Sequence, residues 1–475
     1  MSSTVTEGKV KAIRMVRGIC VLRIDGNTGV LVGSIIRNMI NLNFNRNKYH
    51  ELLKAFIHNF TSSSNRVLLL FTIEGILITL VNNMVGSNNN LFAIRLGASD
   101  YELSLVTSLP QLIGMLVLIP GGILTDRMRN KRSMVTAALA LITVFYAVIG
   151  FVPYFGSYRL ILFLILIALS TGPMTVYNVS WQAYFSDIVG IEARNSILTC
   201  RTSLTFLIGI LIPLASGAIL SSAATVGAKL KIHQAYFWIA AVLLLIQILV
   251  LKQIKSSRDY TPSGLGIRNL KTAFIELLHN KRFLGFGGVA LFFYMSWQLD
   301  WTLYFVGQVK YLKMNEAWLS YTSIGNAVAQ FLTIGFWSHL NVKKGVRFGI
   351  IFGSLGLAVF PVGMITATSA PIGQGRIIFL AIHTLASMTM AVITLNVLQC
   401  LLQTLPEKNK TLNISIYTVL ITLSNALMPL VGVMIYTRLG ADLRAFQATF
   451  LIILAARIAA TGLWILRWWV LRKEA

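Results

Sequence analysis

Three ionisable side chains lie inside apolar stretches of the sequence, where a charge is costly. They are Glu74 in FTIEGIL, Asp300 in SWQLDW and His383 in LAIHTLAS. In hydrocarbon such groups face a cavity or a partner, and burial disfavours the charged form of a carboxyl group. Glu74 follows Arg66 by about 12 Å along a helix, near the middle of a membrane core ~30 Å thick. The chemistry that these residues favour is the binding and release of a proton.

Each of these groups also has an interpretation without proton transfer. Glu74 could be satisfied by nearby backbone or asparagine groups, Asp300 could be a hydrated residue at the mouth of a cavity, and His383 could be a hydrogen-bonded packing residue. A fourth charge, Arg457, lies inside the last apolar stretch. It either neutralises a carboxylate or extends its guanidinium to the membrane surface, and a structural role is the expected one.

Polar and aromatic side chains accompany the ionisable groups. The candidate residues of a substrate cavity are Tyr177, Asn178, Trp181 and Gln182 in one stretch, and Trp297 and Gln298 in another. Aromatic rings suit an amphipathic or aromatic substrate, whereas a sugar needs many polar partners. The same rings are also typical of helix packing and of aromatic belts at membrane surfaces.

The elements that position these residues are helices in a membrane. The 475-residue chain is 56% hydrophobic with a mean hydropathy of +0.72, which is outside the range of water-soluble domains. Continuous apolar runs of about 20 residues indicate helices rather than barrel strands. Twelve spans are predicted, at residues 67–93, 101–124, 133–153, 158–184, 197–221, 234–252, 283–307, 316–338, 347–368, 376–402, 412–436 and 445–471.

The basic residues predict how these spans are oriented. Most of the 41 lysines and arginines fall in segments that share one side of the membrane if both termini are cytoplasmic. The formal net charge of +25 therefore reflects orientation and attraction to anionic lipid headgroups, and no nucleic-acid partner is expected. The sequence predicts an integral protein of the plasma membrane with both ends in the cytoplasm.

Four segments follow from this arrangement. Residues 1–65 form a cytoplasmic N-terminal extension, which could contact a partner of unknown identity. It ends at 49–60 in an amphipathic juxtamembrane helix or, as the alternative, in a simple lead-in to the first span. Residues 66–252 form an N-terminal six-helix bundle, and residues 283–475 form a C-terminal one. A basic cytoplasmic linker, residues 253–282, joins the two bundles.

The two bundles carry signs of an internal repeat. The stretches LGASDYELSLVTS (96–108) and LKMNEAWLSYTS (312–323) precede corresponding helices in the two halves. Two halves that run in parallel are a recurrent plan among transporters, in which the substrate binds near the middle of the membrane between them. The repeat therefore points to transport as the class of function.

A cluster of charge follows the second predicted span. The sequence GGILTDRMRNKRSMV carries Gly122, Leu124, Asp126, Arg127, Arg129, Lys131 and Arg132. This stretch resembles the signature loop between the second and third spans of the major facilitator superfamily, and the resemblance extends over about residues 66–471. Arg129 stands where the signature of that family usually has glycine. The resemblance implies an all-helical fold of two six-helix bundles, alternating access, and a central cavity lined by spans one, four, seven and ten.

The same resemblance implies that the signature loop is a gate. The gate residues are Gly122, Asp126, Arg127, Arg129, Lys131, Asp187 and Arg194. Gly122 allows close approach of two helices, and Asp126 would help to lock the halves together on the cytoplasmic side in an outward-open state. Asp187 follows the fourth span and is expected to form a network with the Arg127 and Arg129 region, with a plain solvated loop charge as the alternative. The alternative is that those basic residues only orient the protein.

These features together predict a secondary active transporter that exports a hydrophobic or amphipathic small molecule with proton coupling. IGILIPLASG (208–217) partly resembles a glycine-proline motif of the family's antiporters, which favours export. The alternatives are proton-linked uptake of a nutrient, movement of a lipid or peptide product, and a non-transporting scaffold or sensor. The sequence has no glycine-rich nucleotide loop and no nucleophile–base pair. We therefore expect no enzymatic reaction, no metal and no cofactor, with energy drawn from the proton motive force.

Overall fold

The described part of the protein is helical. The computed structural model describes residues 63–128, 130–189, 191–254, 275, 279–404 and 410–473. In the first half the helices are α1 (Ser63–Met84), α2 (Asn89–Leu96), α3 (Asp100–Arg127), α4 (Lys131–Ile149), α5 (Arg159–Ile188), α6 (Ile191–Ser222) and α7 (Val226–Lys252). In the second half they are α8 (Lys281–Gln298), α9 (Trp301–Val306), α10 (Glu316–Lys344), α11 (Val346–Ser369), α12 (Ile372–Ser387), α13 (Met390–Thr404), α14 (Lys410–Arg438) and α15 (Leu443–Lys473). The juxtamembrane stretch 49–60 and most of the linker 253–282 lie outside the described residues.

These helices make twelve crossings, six in each half, as the sequence predicts. α1 and α2 share one crossing, as do α8 and α9, and α12 and α13, while every other helix crosses alone. Nine of the described segments are long and apolar enough to cross a membrane by length and composition, and a shorter apolar stretch, Leu207–Ser222, lies in α6. The remaining crossings are α8–α9, which is interrupted, and α10, which is rich in polar side chains.

Side-chain caps begin the second crossing of each half. Ser99 and Glu102 form a capping box at the start of α3, in which the Ser99 hydroxyl accepts from the Glu102 N–H at 3.3 Å. At the matching place in the second half, Asn315 Oδ1 accepts from the N–H of Trp318 at 3.2 Å and begins α10. Both caps lie in the stretches that predict the internal repeat, so the repeat has a local structural basis.

Two crossings of the second half are broken, although the sequence predicts continuous spans at 283–307 and 376–402. α8 ends at Gln298 and α9 begins after Asp300. The break between α12 and α13 exposes the carbonyl of Met388, which accepts from Trp337 Nε1 at 2.6 Å and from the Thr333 hydroxyl at 3.0 Å. Hydropathy could not reveal these breaks, because the donors that satisfy the freed carbonyl come from another helix, α10.

The two halves pack their helices in the same pattern. In the first half α1 packs on α6 and α7, α3 packs on α5, and α4 packs on α5 and α7. In the second half α8 packs on α14 and α15, α10 on α12, and α11 on α12 and α15. Two further pairs join the halves, α3 with α14 and α6 with α10. In the second of these pairs Gly217 lies against Ser320, which leaves no room for a side chain at 217.

The bundle has two ends, which we name after one residue each. The Glu316 face is the end that carries Arg95, Asp100, Lys229, Lys310 and Glu316. The Lys131 face is the end that carries Arg127, Lys131, Asp187, Lys252 and Lys344.

The halves share a hydrophobic core near the Glu316 face. One cluster of buried apolar side chains combines residues of the first half with second-half residues near that face, such as Leu312 and Tyr436. A second cluster consists of second-half residues in the middle of the bundle and toward the Lys131 face, among them Phe283, Trp337 and Leu401. The packing of the described residues therefore closes the protein at the Glu316 face.

Candidate functional site

Glu74 lies in the middle of α1, fully buried, and binds side chains from three other helices. The Tyr177 hydroxyl of α5 donates to its Oε1, and Gln247 Nε2 of α7 donates to the same oxygen at 2.8 Å. Arg201 Nη2 of α6 lies 3.2 Å from Oε2. The groups that satisfy this acid are tyrosine, glutamine and arginine side chains, whereas the structural alternative names backbone or asparagine groups.

Arg201 is the accessible member of this group. Its side chain keeps 21% of its surface exposed, whereas that of Glu74 keeps none. The guanidinium carbon lies 4.3 Å from the centre of the Trp181 ring, a cation–π contact. A Cβ on Gly75 would overlap the Arg201 side chain, so the glycine leaves the space that the arginine occupies. Arg201 Nε and Trp181 Nε1 have no hydrogen-bond partner among the residues that the structure describes.

The second predicted acid, Asp300, forms a buried ion pair with Arg457. Arg457 Nη2 lies 2.6 and 2.7 Å from the two carboxylate oxygens, and both side chains are 3% exposed. The same guanidinium donates to the carbonyl oxygens of Leu357 at 2.6 Å and Trp297 at 3.1 Å. The interpretation of Asp300 as a hydrated mouth residue is therefore wrong, because Arg457 of α15 covers it.

His383 lies on α12 against aromatic rings and beside a polar cavity. The ring centroids of Phe360, Phe379 and Tyr304 are 4.9, 5.2 and 6.0 Å from that of the imidazole. His383 Nδ1 has no hydrogen-bond partner within the described ranges. The cavity encloses about 230 Å³ and is lined from both halves, with Asn83, Asn88, Ser216, Gln308, Ser323 and Asn326 among its polar residues. Over the described residues, no group of three or more His, Cys, Asp and Glu side chains could hold a metal ion.

The other predicted cavity residues lie on α5 and α8. Asn178 and Gln182 are exposed on α5, whereas Tyr177 turns into the first half and reaches Glu74. Trp297 is partly buried and stacks on a tyrosine of its own helix, with ring centroids 5.8 Å apart. Gln298 is the last residue of α8, next to the break in the seventh crossing. The structure thus brings Tyr177 to the buried acid and leaves Asn178 and Gln182 accessible.

The signature loop contacts its own half at the Lys131 face. Lys131 Nζ lies 2.8 Å from Asp187 Oδ2, so Asp187 contacts the loop at Lys131, a residue close to the predicted Arg127 and Arg129 region but not part of it. Arg132 Nη1 donates to the carbonyl of Ile254 at 2.7 Å and so satisfies an acceptor beyond the end of α7. Arg127 is exposed at the end of α3. Arg129 and the side chains of Asp126 and Arg194 lie outside the described residues.

The close helix approach that the sequence assigns to Gly122 occurs at neighbouring glycines. A Cβ on Gly121 would lie 3.0 Å from a methyl group of Val176 on α5, whereas one on Gly122 would lie 3.9 Å from Val179. A Cβ on Gly114 would be similarly close to α5, at 3.1 Å from a threonine hydroxyl. Gly114 and Gly121 therefore set the spacing of α3 and α5, and ordinary van der Waals distance remains at Gly122.

A charge cluster at the Glu316 face, which the sequence did not predict, joins the two halves. Glu316 of α10 pairs with Arg95 of α2 and, at 2.8 Å, with Lys229 of α7. Lys310 adds a pair with Asp100 at 3.0 Å. In the described part of the chain, the ion pairs between the halves lie at this face. Sequence patterns treat these residues only as loop charges, because their partners are more than 80 positions away along the chain.

Two partners of Glu74 were also missed from the sequence. In the sequence Arg201 lies near the start of the fifth predicted span, 197–221. In the structure the helix α6 begins earlier, at Ile191, so Arg201 lies ten residues beyond its first residue. Gln247 is a single amide in the apolar run LLLIQILVLK. A lone polar side chain deep in a membrane helix is itself a sign of a buried partner, so Gln247 was recognisable as a candidate, although its partner was not.

These features define a class of protein, namely a membrane transport protein built from two six-helix halves around buried polar groups. The sequence profile of the Major Facilitator Superfamily matches residues 67–399, more than half of the chain. The chain belongs to this superfamily of membrane transporters and is an integral membrane protein. No curated protein matches the chain significantly in sequence.

Several solved transporter structures have a similar fold. A D-xylose-proton symporter is 15% identical, has a TM-score of 0.62, and matches over 85% of this chain and 98% of its own. A nucleoside transporter is 11% identical with a TM-score of 0.66, over 84% and 98% of the two chains. A bacterial homologue of the iron transporter ferroportin, in an inward-facing state, is 12% identical with a TM-score of 0.65, over 85% and 99%. At such identities the likeness shows the fold alone, and these proteins carry different solutes.

Proposed function

We propose that the protein is a proton-coupled transporter in which Glu74 binds the coupling proton. The observation that carries this proposal is the partner set of Glu74, a buried carboxylate whose charged partner, Arg201, is partly exposed. Protonation removes the carboxylate charge and weakens its attraction to Arg201. Loss of the proton restores the pair. Glu74 can therefore alternate between two bonding states within one site.

The other two candidates are less suited to this role. Asp300 is held at both oxygens by Arg457, which is itself bonded to backbone carbonyls, so its protonation would leave a buried arginine uncompensated. His383 is packed among aromatic rings and has no acidic group within hydrogen-bond distance among the described residues. Glu74 is therefore the group to which we assign proton coupling.

Alternating access gives the closed Glu316 face a function. We propose that this face is the outer one, with the Lys131 face and both termini in the cytoplasm of a cell whose plasma membrane holds the protein. The pairs of Glu316 with Arg95 and Lys229 then close the outer entrance and must separate when the protein opens outward. In that outward-open state we expect Asp126 and the signature loop to hold the Lys131 face closed.

The proposed substrate is a hydrophobic or amphipathic small molecule that is exported. The indole ring of Trp181 and the exposed amides of Asn178 and Gln182 offer it both apolar and polar contacts. We propose that the proton gradient supplies the energy and that no nucleotide, metal or other cofactor takes part. Membrane lipid surrounds the bundle, and residues 1–65 remain a candidate segment for contact with a partner.

A second candidate function is proton-linked uptake of a polar nutrient. The cavity of about 230 Å³ favours it, because the side chains that line it are rich in hydroxyl and amide groups. A non-transporting scaffold is disfavoured, since a scaffold has no need of a buried acid with an exchangeable partner. The two transport candidates share Glu74 as the coupling group and differ in substrate and direction.

The experiment that tests the proposal is proton movement in proteoliposomes that contain a pH-sensitive dye. The full-length protein is challenged with lipophilic cations, lipid-like compounds, peptides, sugars and carboxylic acids. We expect at least one compound to drive proton movement through the wild type and not through Glu74→Gln, which lacks the titrating group. The double variant Asp300→Asn with Arg457→Gln is the matched control, since it removes the other buried pair.

Three results would contradict the proposal. If Glu74→Gln moves protons as the wild type does, Glu74 is not the coupling group. If the double variant loses proton movement per folded molecule while Glu74→Gln keeps it, the coupling group is Asp300. Accumulation of a labelled compound without any proton movement would indicate uncoupled transport.

A further inference from the structure

Arg201 uses little of its capacity to donate hydrogen bonds. A guanidinium carries five N–H groups in a planar fork that matches the oxygens of a carboxylate or phosphate. Over the described residues Arg201 makes one hydrogen bond, through Nη2 to Glu74, and its Nε has no partner. Arg457 shows the contrast, because it donates to both oxygens of Asp300 and to backbone carbonyls.

The surroundings of Arg201 hold the guanidinium in place while leaving part of it accessible. Its stem crosses α1 at Gly75, where any larger residue would collide with it. Its charged end lies over the Trp181 ring, and that ring stacks on Phe185 with a centroid distance of 5.1 Å and an angle of 12°. Trp181 Nε1, like Arg201 Nε, is a buried donor without a described partner. Side chains on α1 and α5 thus fix a cation beside an aromatic surface.

We propose that Arg201 and Trp181 form a binding site for an amphipathic oxyanion, a solute with a carboxylate or phosphate group and an apolar or aromatic body. The oxyanion takes the place of the Glu74 carboxylate on the guanidinium when Glu74 is protonated. The apolar body lies against Trp181, near the accessible amides of Asn178 and Gln182. This inference rests on the proposed coupling role of Glu74 and adds the chemical class of the substrate.

Replacement of Glu74 by the anion on Arg201 also determines whether proton binding and anion binding favour or oppose each other. An anion on Arg201 would leave a charged Glu74 buried without its charged partner, which is costly, so the bound anion favours the protonated acid. Linkage is reciprocal, and the proton therefore favours binding of the anion by the same factor. Proton and anion then occupy the protein in the same state and cross the membrane together. This is cotransport, and an inward proton gradient would then drive uptake of the anion, the reverse of the export proposed above and suggested by the glycine-proline stretch of α6.

The test compares probes that share a ring and differ in charge. Phenylacetate, benzyl phosphate, phenylacetamide and benzylamine are added to the full-length protein in detergent, and dissociation constants are measured by thermal stabilisation at acidic and alkaline pH. In the wild type we expect phenylacetate or benzyl phosphate to bind more tightly at acidic pH, and the amide and the amine to show no such preference. Binding of phenylacetate would indicate a carboxylate site, and binding of benzyl phosphate would indicate a phosphate site.

Three variants connect the binding to the proposed residues. Arg201→Gln should raise the dissociation constant of the anion by roughly tenfold or more, since it removes the charged partner. Glu74→Gln mimics the protonated acid, so it should bind the anion tightly at both pH values. Lys252→Gln is the matched control, because it removes one exposed positive charge from the Lys131 face and should bind as the wild type does.

The outcomes separate this inference from the proposed function. The inference is wrong if neither anion stabilises the wild type at acidic pH, if Arg201→Gln binds them unchanged, or if Glu74→Gln keeps the pH dependence of the wild type. It is also wrong if anion and proton move in opposite directions in proteoliposomes. Proton movement that depends on Glu74 but responds only to cations or neutral compounds would leave the proposed function standing and overturn the oxyanion site.

Discussion

Each half buries an acid on its first crossing, and these two acids are bonded in different ways. Glu74 lies on the first crossing of the first half, and Asp300 lies on the first crossing of the second. Gln247, on the last crossing of the first half, contacts Glu74, and Arg457, on the last crossing of the second, contacts Asp300. The halves repeat the packing pattern of their helices, and both place a polar partner for the acid on the corresponding helix.

The difference lies in the charged partner. Asp300 and Arg457 are each 3% exposed and satisfy each other at two oxygens, so the pair is complete within the protein. Glu74 shares its charge with Arg201, which is 21% exposed and is bonded to the acid through one nitrogen. A buried pair without spare donors stabilises one arrangement, whereas a pair with an accessible, partly bonded member can exchange that partner. The comparison teaches that burial of an acid alone does not identify a coupling site.

The largest change in the free energy of unfolding is expected from Arg457→Met, which removes the charged partner of Asp300. The substitution leaves Asp300 buried without its partner, and we expect a loss of roughly 3–5 kcal/mol in the free energy of unfolding. Denaturant titration in detergent measures it. The double variant Asp300→Leu with Arg457→Met replaces the pair by apolar groups and should recover most of the loss. Equal losses in the single and double variants would show that Arg457 stabilises the fold without regard to Asp300.

A smaller effect is expected from Gly75→Ala. The new methyl group overlaps the Arg201 side chain and forces it away from Glu74, at a cost of roughly 1–3 kcal/mol in the free energy of unfolding. The dependence of proton movement on pH should shift as well. Gly209→Ala on α6 is the matched control, because nothing lies near the added methyl group. If the two alanine variants behave alike, Arg201 does not need the space at Gly75.

The smallest expected effect is the coupling energy between Trp181 and Arg201. The cation–π contact with Arg201 should contribute about 0.5–1 kcal/mol at this partly exposed position. A double-mutant cycle with Trp181→Phe and Arg201→Gln isolates this coupling in thermal or denaturant unfolding. The same cycle with Trp297→Phe in place of Trp181→Phe should give no coupling. Independent effects of Trp181 and Arg201 would remove the indole ring from the proposed binding site.

Local patterns in the sequence were sufficient for the crossings and for the two acids. Apolar runs of helical length predict membrane spans wherever they occur, and a carboxyl group within such a run is conspicuous. The breaks at Asp300 and Met388 were not predictable in this way, because the groups that satisfy the interrupted backbone belong to other helices. The close approach of α3 and α5 was assigned to Gly122 and occurs at Gly114 and Gly121, since only the packed pair shows which glycines face the neighbour.

The amino-acid sequence by itself determined that this is a helical membrane protein of two related halves, with buried acids and a signature loop. These properties depend on composition, periodicity and motifs, which are read along the chain. Only the tertiary structure decided which partner each acid has and at which face the halves close. Glu74 and Arg201 are separated by 127 positions, and Asp300 and Arg457 by 157. Contacts over such separations depend on how the helices pack, which no local pattern encodes.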